Sequence, residues 1–364
     1  MKKLIPFFLF VFLFLSCKKE DDNIIWERSM GQGKAFFIES AADSGIIACG
    51  ILSGAPYLVK FDIGKNKEAD YTSDRDGLFS SAWWDTSGFV AAGSSAGKML
   101  LARIDRYGQK IWDTTLIAGF YLDITSLIDE GGGNFLAVGS ASPDSADNGD
   151  TGILFVRFDT TGQITEKIET TDDENGFVSA NNASEDAAGN IYLPLTRKLG
   201  SMKPKASVAK YNSNIQKLWE TDLYNNPGFT AGCYDAIPDA SGNVYVTGKM
   251  EAANASGTLS NSYLISMTRS GVINWKKYIE NSNSGSALQL NATESVVMLN
   301  RNCFVIRKAF ANDGSDAGII RLFSQCDSYT TDAFGSDMSL SYDGNILAAG
   351  SVGGNFYLAL KSSQ

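Results

Sequence analysis

A short unit of glycine-containing turn and strand recurs along the chain, and it constrains the fold more than any other feature. It is clearest at residues 239–248 (DASGNVYVTG), where Gly242-Asn243 predicts a tight two-residue hairpin turn. The β-branched and aromatic residues after it predict a buried strand. Related units end at residues 50, 93, 139, 195 and 350, and a weaker copy ends at residue 300. Self-similarity at such a period predicts propeller blades or a solenoid.

A second motif follows the first in most of these units. It is seen at 58–69 (LVKFDIGKNKEA), 101–112, 155–166, 208–219 and 265–275. The turn residue, for example Asp105, stands seven residues before the position of Trp112, and this fixed offset predicts strand, turn and strand. A further strand before each Gly-Asn turn, such as 234–237, brings each unit to four strands. Four short strands in about 50 residues predict a propeller blade.

The two ends of the chain predict how the ring closes. The last unit stops after its third strand, and residues 24–28 (IIWER) match the outer strand at 110–114 (KIWDT). The sequence therefore predicts an all-β, seven-bladed β-propeller with four-stranded antiparallel blades. Its N-terminal strand completes the last blade, so that no sheet edge stays unpaired at the closure.

The unit at 239–248, followed by 262–275 (SYLISMTRSGVINW), resembles the seven-bladed β-propeller repeat family called SBBP. The likeness recurs over most of residues 24–364. It implies a propeller fold and a surface or secreted setting, and it implies no catalytic residues.

The first residues predict a lipoprotein leader. Lys2-Lys3, an apolar run and Ser16-Cys17 make residues 1–16 a lipoprotein signal peptide, with an apolar run too short for a comfortable membrane span. Residues 17–23 are then a lipidated Cys17 and a charged tether, and residues 24–364 form the propeller. The tether resembles the export signal of Gram-negative surface lipoproteins, which predicts an outer-membrane, cell-surface location. The alternatives are a plain signal peptide and a solvated spacer.

Charge and composition exclude several classes of partner and catalytic site. The chain has 31 basic and 41 acidic residues and no histidine. The acidic excess disfavours nucleic acid as a partner. Without histidine, Ser-His-Asp triads and His-ligated metals are excluded, and no cofactor is expected. Paired carboxylates, drawn from Asp123, the 172–174 cluster and Asp235, would be the one acid–base option; the alternative is that they are solvated loop acids.

Long, chemically varied connections at 140–152, 196–206 and 249–261 should share one face with the blade-to-blade loops, and they predict the ligand face. The alternative is that they are tolerated insertions. Trp83 and Trp84 point to opposite sides of their strand, so one should pack inside and the other line the channel or meet a sugar ring. The residues assigned to this face are Arg75, Trp84, Tyr121, Asp123, Asp173, Phe229 and Tyr234.

Cysteine and tryptophan positions give two structural predictions. Cys303 and Cys326 flank a predicted hairpin with its turn in 312–318, which favours a disulfide in an oxidising compartment. Cys49 and Cys233 are predicted to be separate buried thiols. Trp26, Trp112, Trp219 and Trp275 are predicted to pack on outer strands.

The sequence thus predicts a lipid-anchored binding or scaffold propeller without catalytic residues, whose partners are the membrane and a polysaccharide or an envelope protein. The alternative is a carboxylate-dependent glycan hydrolase or lyase that uses the long-loop face.

Overall fold

The computed structural model describes residues 24–116, 121–142, 152–171, 176–199, 203–224, 228–254, 257–280, 284–290, 295–300, 305–321 and 333–362. This part of the chain consists of β-strands joined by turns and irregular segments, with no helix. Accordingly, none of the described residues forms a helix that could cross a membrane.

The strands, in chain order, are β1 Ile24–Ser40, β2 Ile46–Leu52, β3 Ala55–Phe61, β4 Lys67–Thr72, β5 Leu78–Asp85, β6 Gly88–Ser95, β7 Lys98–Asp105, β8 Lys110–Leu116, β9 Tyr121–Gly131, β10 Asn134–Ser142, β11 Gly152–Asp159, β12 Ile164–Thr171, β13 Gly176–Ala180, β14 Ser184–Glu185, β15 Ile191–Leu199, β16 Lys205–Tyr211, β17 Lys217–Tyr224, β18 Phe229–Pro238, β19 Val244–Asn254, β20 Gly257–Met267, β21 Ile273–Ile279, β22 Gly285–Leu290, β23 Ser295–Asn300, β24 Val305–Phe310, β25 Asp316–Arg321, β26 Ala333–Leu340, β27 Ile346–Val352 and β28 Asn355–Lys361.

The strands form seven antiparallel blades, which confirms the predicted seven-bladed propeller. Blades two to six follow the chain, as β5–β8, β9–β12, β13–β17, β18–β21 and β22–β25, with strands paired in order from the inside outwards. In blade four the innermost strand is divided into β13 and β14, which both pair with β15. Blade seven is β26-β27-β28 plus the first half of β1, and blade one is the second half of β1 plus β2–β4.

Strand β1 closes the ring, as predicted, but it does so as one continuous 17-residue strand. Its first half pairs with β28, with Arg28 opposite Leu358 and Met30 opposite Phe356. Its second half pairs with β2, from Gly33 opposite Leu52 onwards. The last blade and the first are therefore joined by main-chain hydrogen bonds along a shared strand.

The tight turns differ from the prediction. Gly242-Asn243 is not a two-residue turn, because β18 ends at Pro238 and β19 begins at Val244. The loop has five residues and is closed by Asp239 N–H donating to Asn243 O. The Asp239 carboxylate accepts from the N–H groups of Ser241 and Asn243, and Gly242 takes a positive φ of 82°. An aspartate at the first position thus organises the loop.

The same five-residue loop also connects third and fourth strands, so the two sequence motifs are one structure. The Asp105–Gln109 loop has the same pair of main-chain hydrogen bonds, and the Asp105 carboxylate accepts from Tyr107 and Gln109 N–H. All of these loops lie on one side of the ring, which we call the short-turn face. The blade-to-blade loops and the second-to-third-strand connections lie on the other side, the long-loop face.

The hydrophobic core lies between blades. Seven clusters of buried residues each join two neighbouring blades; for example, Ile47 and Leu58 of blade one pack with Phe89 of blade two. The outer-strand tryptophans contribute as predicted. Trp219 Nε1 donates to Arg269 O of the next blade at 3.1 Å. The indole of Trp219 covers Gly271, where an added Cβ would come within 2.9 Å of the ring.

Candidate functional site

The predicted ligand face is only partly within the described residues. Asp173, Cys303 and Cys326 lie outside them, and the side chain of Tyr121 is not described. Arg75 stands in the loop between blades one and two, on the long-loop face. Its guanidinium pairs with Asp113 at 2.8 Å, and Asp113 is largely buried. This ion pair fixes the loop against the outer strand of blade two.

Phe229 and Tyr234 lie on β18, the inner strand of blade five, and both are half-buried. Phe229 packs against Tyr224 with ring centroids 5.4 Å apart. The hydroxyl of Tyr234 lies over Gly232, 3.0 Å from where a Cβ would stand. These two aromatic residues therefore lie on the same inner strand, Phe229 at its long-loop end and Tyr234 near its middle.

Trp84 is a correction. It is only 6% exposed, packs against Phe89 at 4.5 Å and has the Lys60 ammonium over its ring at 4.7 Å. It stands next to the Asp85–Gly88 hairpin turn, on the short-turn side rather than the ligand face. Trp83 packs against Phe135 of blade three. Both indoles are thus interblade packing residues, because the two sides of an inner strand face two neighbouring blades.

A β-bulge recurs in six of the seven inner strands. It always follows the residue that pairs with the last residue of the repeated turn-and-strand unit, which is Gly50, Gly93, Gly139, Gly248, Asn300 or Gly350. Two of the bulged residues bond to the next blade: Thr125 donates to Asn181 O, and Ser286 donates to Gly335 O. In blade four, Asn181 lies between β13 and β14, and its Nδ2 donates to Cys233 O of blade five at 2.6 Å. A bulge re-aims a side chain out of the sheet, and here the re-aimed groups form a belt of hydrogen bonds between inner strands.

Two buried aspartates follow such bulges. Asp235 Oδ2 accepts from Leu288 N–H of blade six at 2.6 Å, and Asp337 Oδ2 accepts from Ile38 N–H of blade one at 2.9 Å. Burial raises the pKa of Asp235 to about 8, although the hydrogen bond from Leu288 opposes it, and the charge of Asp337 adds to the rise. Burial likewise raises the pKa of Asp337 to about 7. Both carboxyls are occupied in joining blades.

Asp123 and Glu39 are inner-strand acids with exposed side chains. Asp123 has the Ser94 hydroxyl at 3.4 Å. Both side chains contact solvent, but the protein atoms around each carboxyl group partly desolvate it. This desolvation raises the pKa of Asp123, and it raises the pKa of Glu39 to about 7. Glu39 lies toward the short-turn end of its strand and Asp123 toward the long-loop end, so they do not form one site.

Cations that are buried, or half-buried in blade three, pair with acids near the short-turn face in the first four blades. Lys60, Arg103, Arg157 and Lys210 occupy the same position on the third strand of blades one to four. They pair with Asp43, Asp85, Glu130 and Asp186, respectively. Each acid belongs to the end or the turn of the inner hairpin, so each pair joins the first and third strands of its blade.

Blade four shows the pair in its fullest form. Asp186 accepts from Asn190 main-chain and side-chain N–H and from the Tyr192 hydroxyl. Lys210 Nζ donates to Tyr192 Oη at 2.6 Å and lies 4.6 Å from the ring centroid. Burial alone would raise the pKa of Asp186, but the hydrogen bonds from Asn190 and Tyr192 outweigh it and lower that pKa to about 2.

Blade five repeats the network without the cation. Asp239 accepts from Asn243 and from the Tyr245 hydroxyl as Asp186 does in blade four. Ser266 takes the position of Lys210, because each of them pairs with the tyrosine of its second strand and the tryptophan of its fourth strand. A hydroxymethyl group replaces a four-carbon ammonium side chain, and space is left above Tyr245.

That space opens into a cavity of about 660 Å³ between blades five and six, on the short-turn face. The corresponding cavity between blades four and five, which Lys210 borders, has a volume of about 300 Å³. The larger cavity is lined by Asp239, Ala240, Ser241, Asn243, Tyr245, Ser266, Asn274, Trp275, Leu290, Ala311 and Asn312.

Sequence reasoning did not identify this cavity, although a signal was present. The third strands of blades one to four and of blade six carry Lys or Arg two residues before the turn residue, whereas blade five carries Ser266 there. As for metals, the described residues hold no group of three or more Cys, Asp or Glu side chains arranged to bind an ion. Cys49 and Cys233 are buried free thiols, as predicted.

Comparison with protein-family models and with curated protein sequences gave no match. Among solved structures, the chain is similar to the β-propeller domain of Cps50 (Swd1) from Myceliophteria thermophila, with 10% identity and a TM-score of 0.59. It is also similar to streptogramin B lyase, with 8% identity and a TM-score of 0.60. Each alignment covers 94% of this chain and 99% of the other. At such identities the likeness concerns the propeller fold alone.

Proposed function

We propose that this protein is a lipid-anchored binding or scaffold propeller of the outer membrane, which presents its long-loop face away from the membrane to a glycan or an envelope protein. The observation that carries the proposal is the direction of β1. Ile24 pairs with Lys361, which also pairs with Ile346 directly after the Ser341–Asn345 turn. The propeller therefore begins at its short-turn face.

A lipid on Cys17 would hold that face toward the bilayer. Even fully extended, the seven residues from Cys17 to Ile24 reach no more than roughly 25 Å. The short-turn face then lies close to the membrane, and the blade-to-blade loops point outward. Long, varied loops on a rigid scaffold are where binding residues are usually found.

The chemistry of the inner strands favours binding over hydrolysis. A glycan hydrolase needs two carboxyl groups about 5–9.5 Å apart on either side of the bond to be cleaved. Asp235 and Asp337 are fully buried and each is bonded to an amide of the next blade. Asp123 keeps an accessible carboxyl, so the alternative enzyme would depend on it. Loss of polysaccharide cleavage in Asp123→Asn would support that alternative.

Anchoring and orientation can be tested in intact cells. We expect Cys17→Ser to move the protein from the membrane fraction to the soluble fraction. Two variants, each with one added cysteine, then compare the faces against the labelling of the parent protein: Lys98→Cys, exposed at the long-loop end of β7, and Tyr107→Cys, exposed in a short turn. A bulky, membrane-impermeant maleimide should label Lys98→Cys faster than Tyr107→Cys.

The outcomes separate the parts of the proposal. Equal labelling of both reporters would contradict the orientation. Labelling only after the outer membrane is permeabilised would contradict surface exposure. Two experiments distinguish the classes of ligand. Crosslinking on cells would capture an envelope protein, whereas a glycan array probed with the purified Cys17→Ser protein would detect a polysaccharide.

A further inference from the structure

We propose that the cavity between blades five and six binds a neutral carbohydrate. The site lies on the short-turn face, opposite the loops on which the proposed function depends, so it is a separate site. The inference follows from how the cavity arises, what lines it and how firmly its wall is held.

The cavity arises from one side-chain difference within a repeated network. In blade four, Lys210 fills the space above Tyr192 and satisfies its hydroxyl. In blade five, the smaller Ser266 stands opposite Tyr245 instead, and both residues line the cavity. Its volume of about 660 Å³ falls within the ~300–1,000 Å³ typical of small-molecule sites.

The polar groups of the wall suit a neutral ligand. Among the described residues that line the cavity there is no lysine or arginine, so these residues offer no cation to an anion. Asp239, which supplies the carboxylate among these described residues, already accepts from Ser241, Asn243 and the Tyr245 hydroxyl, so it has little capacity left to bind a cation. The amides of Asn274 and Asn312 and the hydroxyl of Ser266 can both donate and accept hydrogen bonds.

The wall also has an aromatic part. Trp275 lies between the amides of blade five and the Ala311–Asn312 turn of blade six. A sugar ring has an apolar side of C–H groups that packs on an aromatic surface, and a rim of hydroxyls that donate and accept. A tryptophan flanked by asparagines matches both parts of that ligand.

The wall is rigid before any ligand arrives. Trp275 Nε1 donates to Ala311 O at 3.2 Å, and Gly314 lies against the indole, 2.8 Å from ring atoms if it carried a Cβ. Asn274 Nδ2 lies 3.4 Å from Ser266 Oγ. A wall held by its own contacts loses little conformational freedom on binding, and this favours affinity.

The test uses the soluble Cys17→Ser form of the full chain and a printed array of neutral oligosaccharides, followed by calorimetry with the glycan that binds best. We expect Ser266→Lys, which copies blade four, to fill the cavity and abolish binding. We expect Asn274→Leu, at an exposed position, to weaken binding about tenfold, since one or two hydrogen bonds of ~1 kcal/mol are lost.

Blade four supplies a matched control. Leu218 is the exposed counterpart of Asn274, and Leu218→Asn should leave the affinity unchanged. Absence of binding to every neutral glycan on the array would overturn the inference. Binding that survives both Ser266→Lys and Asn274→Leu would also overturn it. Such binding would be consistent with a glycan site on the long-loop face, as in the proposed function. Thermal unfolding of each variant excludes loss of binding through loss of fold.

Discussion

Blades four and five carry the same inner hairpin, Asp-x-x-Gly-Asn-x-Tyr, at residues 186–192 and 239–245. In both, the aspartate accepts from the asparagine and from the tyrosine hydroxyl. The third strand then differs, with Lys210 in one blade and Ser266 in the other. The cavity that the buried Lys210 borders has a volume of about 300 Å³, whereas the cavity that Ser266 borders has about 660 Å³. A repeat can therefore acquire a site by losing a side chain, while its hydrogen-bonded frame is retained.

The inner strands of the two blades differ as well. Asn182 of blade four occupies the position of Asp235 in blade five, and the two side chains are hydrogen-bonded at 3.2 Å. The neutral amide of Asn182 does not titrate. The carboxyl of Asp235 does, and below about pH 8 it holds a proton, because burial raises its pKa to about 8. The same frame thus has a pH-dependent group in one blade and a neutral group in the next.

The largest expected effect comes from removing that difference with Asp235→Asn. An unfolded aspartate has a pKa of about 3.9, so between pH 4 and 8 the folded protein holds a proton that the unfolded chain has released. Wild-type stability should therefore fall as pH rises through this window, by at most about 1.4 kcal/mol per pH unit for this group. Asp235→Asn should lose that component and unfold at higher urea concentration than the wild type at pH 8.

Urea unfolding at pH 5, 6.5 and 8 measures the effect. Asp337, with its pKa raised to about 7, contributes a fall of the same sign and stays in the variant, so the profile should flatten in part. Parallel profiles for wild type and variant would show that Asp235 does not bind a proton in the folded state.

The next effect comes from making blade four like blade five with Lys210→Ser. The variant removes a buried ammonium and leaves the Tyr192 hydroxyl and Asp186 with fewer partners. Breaking a buried pair costs about 3–5 kcal/mol; Asp186 keeps its Asn190 bonds, so we expect a loss of about 2–3 kcal/mol. Chemical denaturation measures it. A loss below about 0.5 kcal/mol would mean that Lys210 is only a space-filling side chain.

The contrast between these blades also shows which features of the fold can be predicted from the sequence. The propeller and its closure by residues 24–28 follow from repetition, because a fourth strand is missing at one end and present at the other. The five-residue loops could have been identified too, since Asp239 and Asp105 both stand three residues before a glycine. The two motifs were interpreted as different turns because the Gly-Asn pair resembles a hairpin turn.

The site residues could not be predicted in the same way. Asp235 becomes buried and proton-binding only because Leu288 and Asn182, about fifty residues away on either side, reach it. Trp84 looks like an exposed aromatic on an inner strand, but Lys60 of the preceding blade covers it. In a propeller each sheet packs on two neighbours, so the exposure of a side chain is decided by blades that lie outside its own repeat.

A third difference between the blades lies in the loop to the outer strand, where Gly271 of blade five corresponds to Ile215 of blade four. Gly271 has a φ of 83°, and a Cβ there would meet the Trp219 ring at 2.9 Å. Gly271→Ala should therefore cost about 2 kcal/mol, from a left-handed backbone strain of ~1–2 kcal/mol and from displacement of the indole. Differential scanning calorimetry measures it, and a melting temperature equal to that of the wild type would contradict the proposed contact.

The smallest effect is expected at Ile215, which adopts a φ of 58° although it is β-branched. Its side chain is only 6% exposed in the core between blades three and four. Blade three has Glu166 where blades two, four and five have the tryptophan that covers the loop of the next blade, so Ile215 fills the space itself. Ile215→Gly would lose about 1.5–3 kcal/mol of burial and relieve ~1–2 kcal/mol of strain. We expect a net loss of about 1 kcal/mol in the free energy of unfolding, measured with urea. A gain in stability would instead mean that the backbone strain at Ile215 outweighs the packing of its side chain.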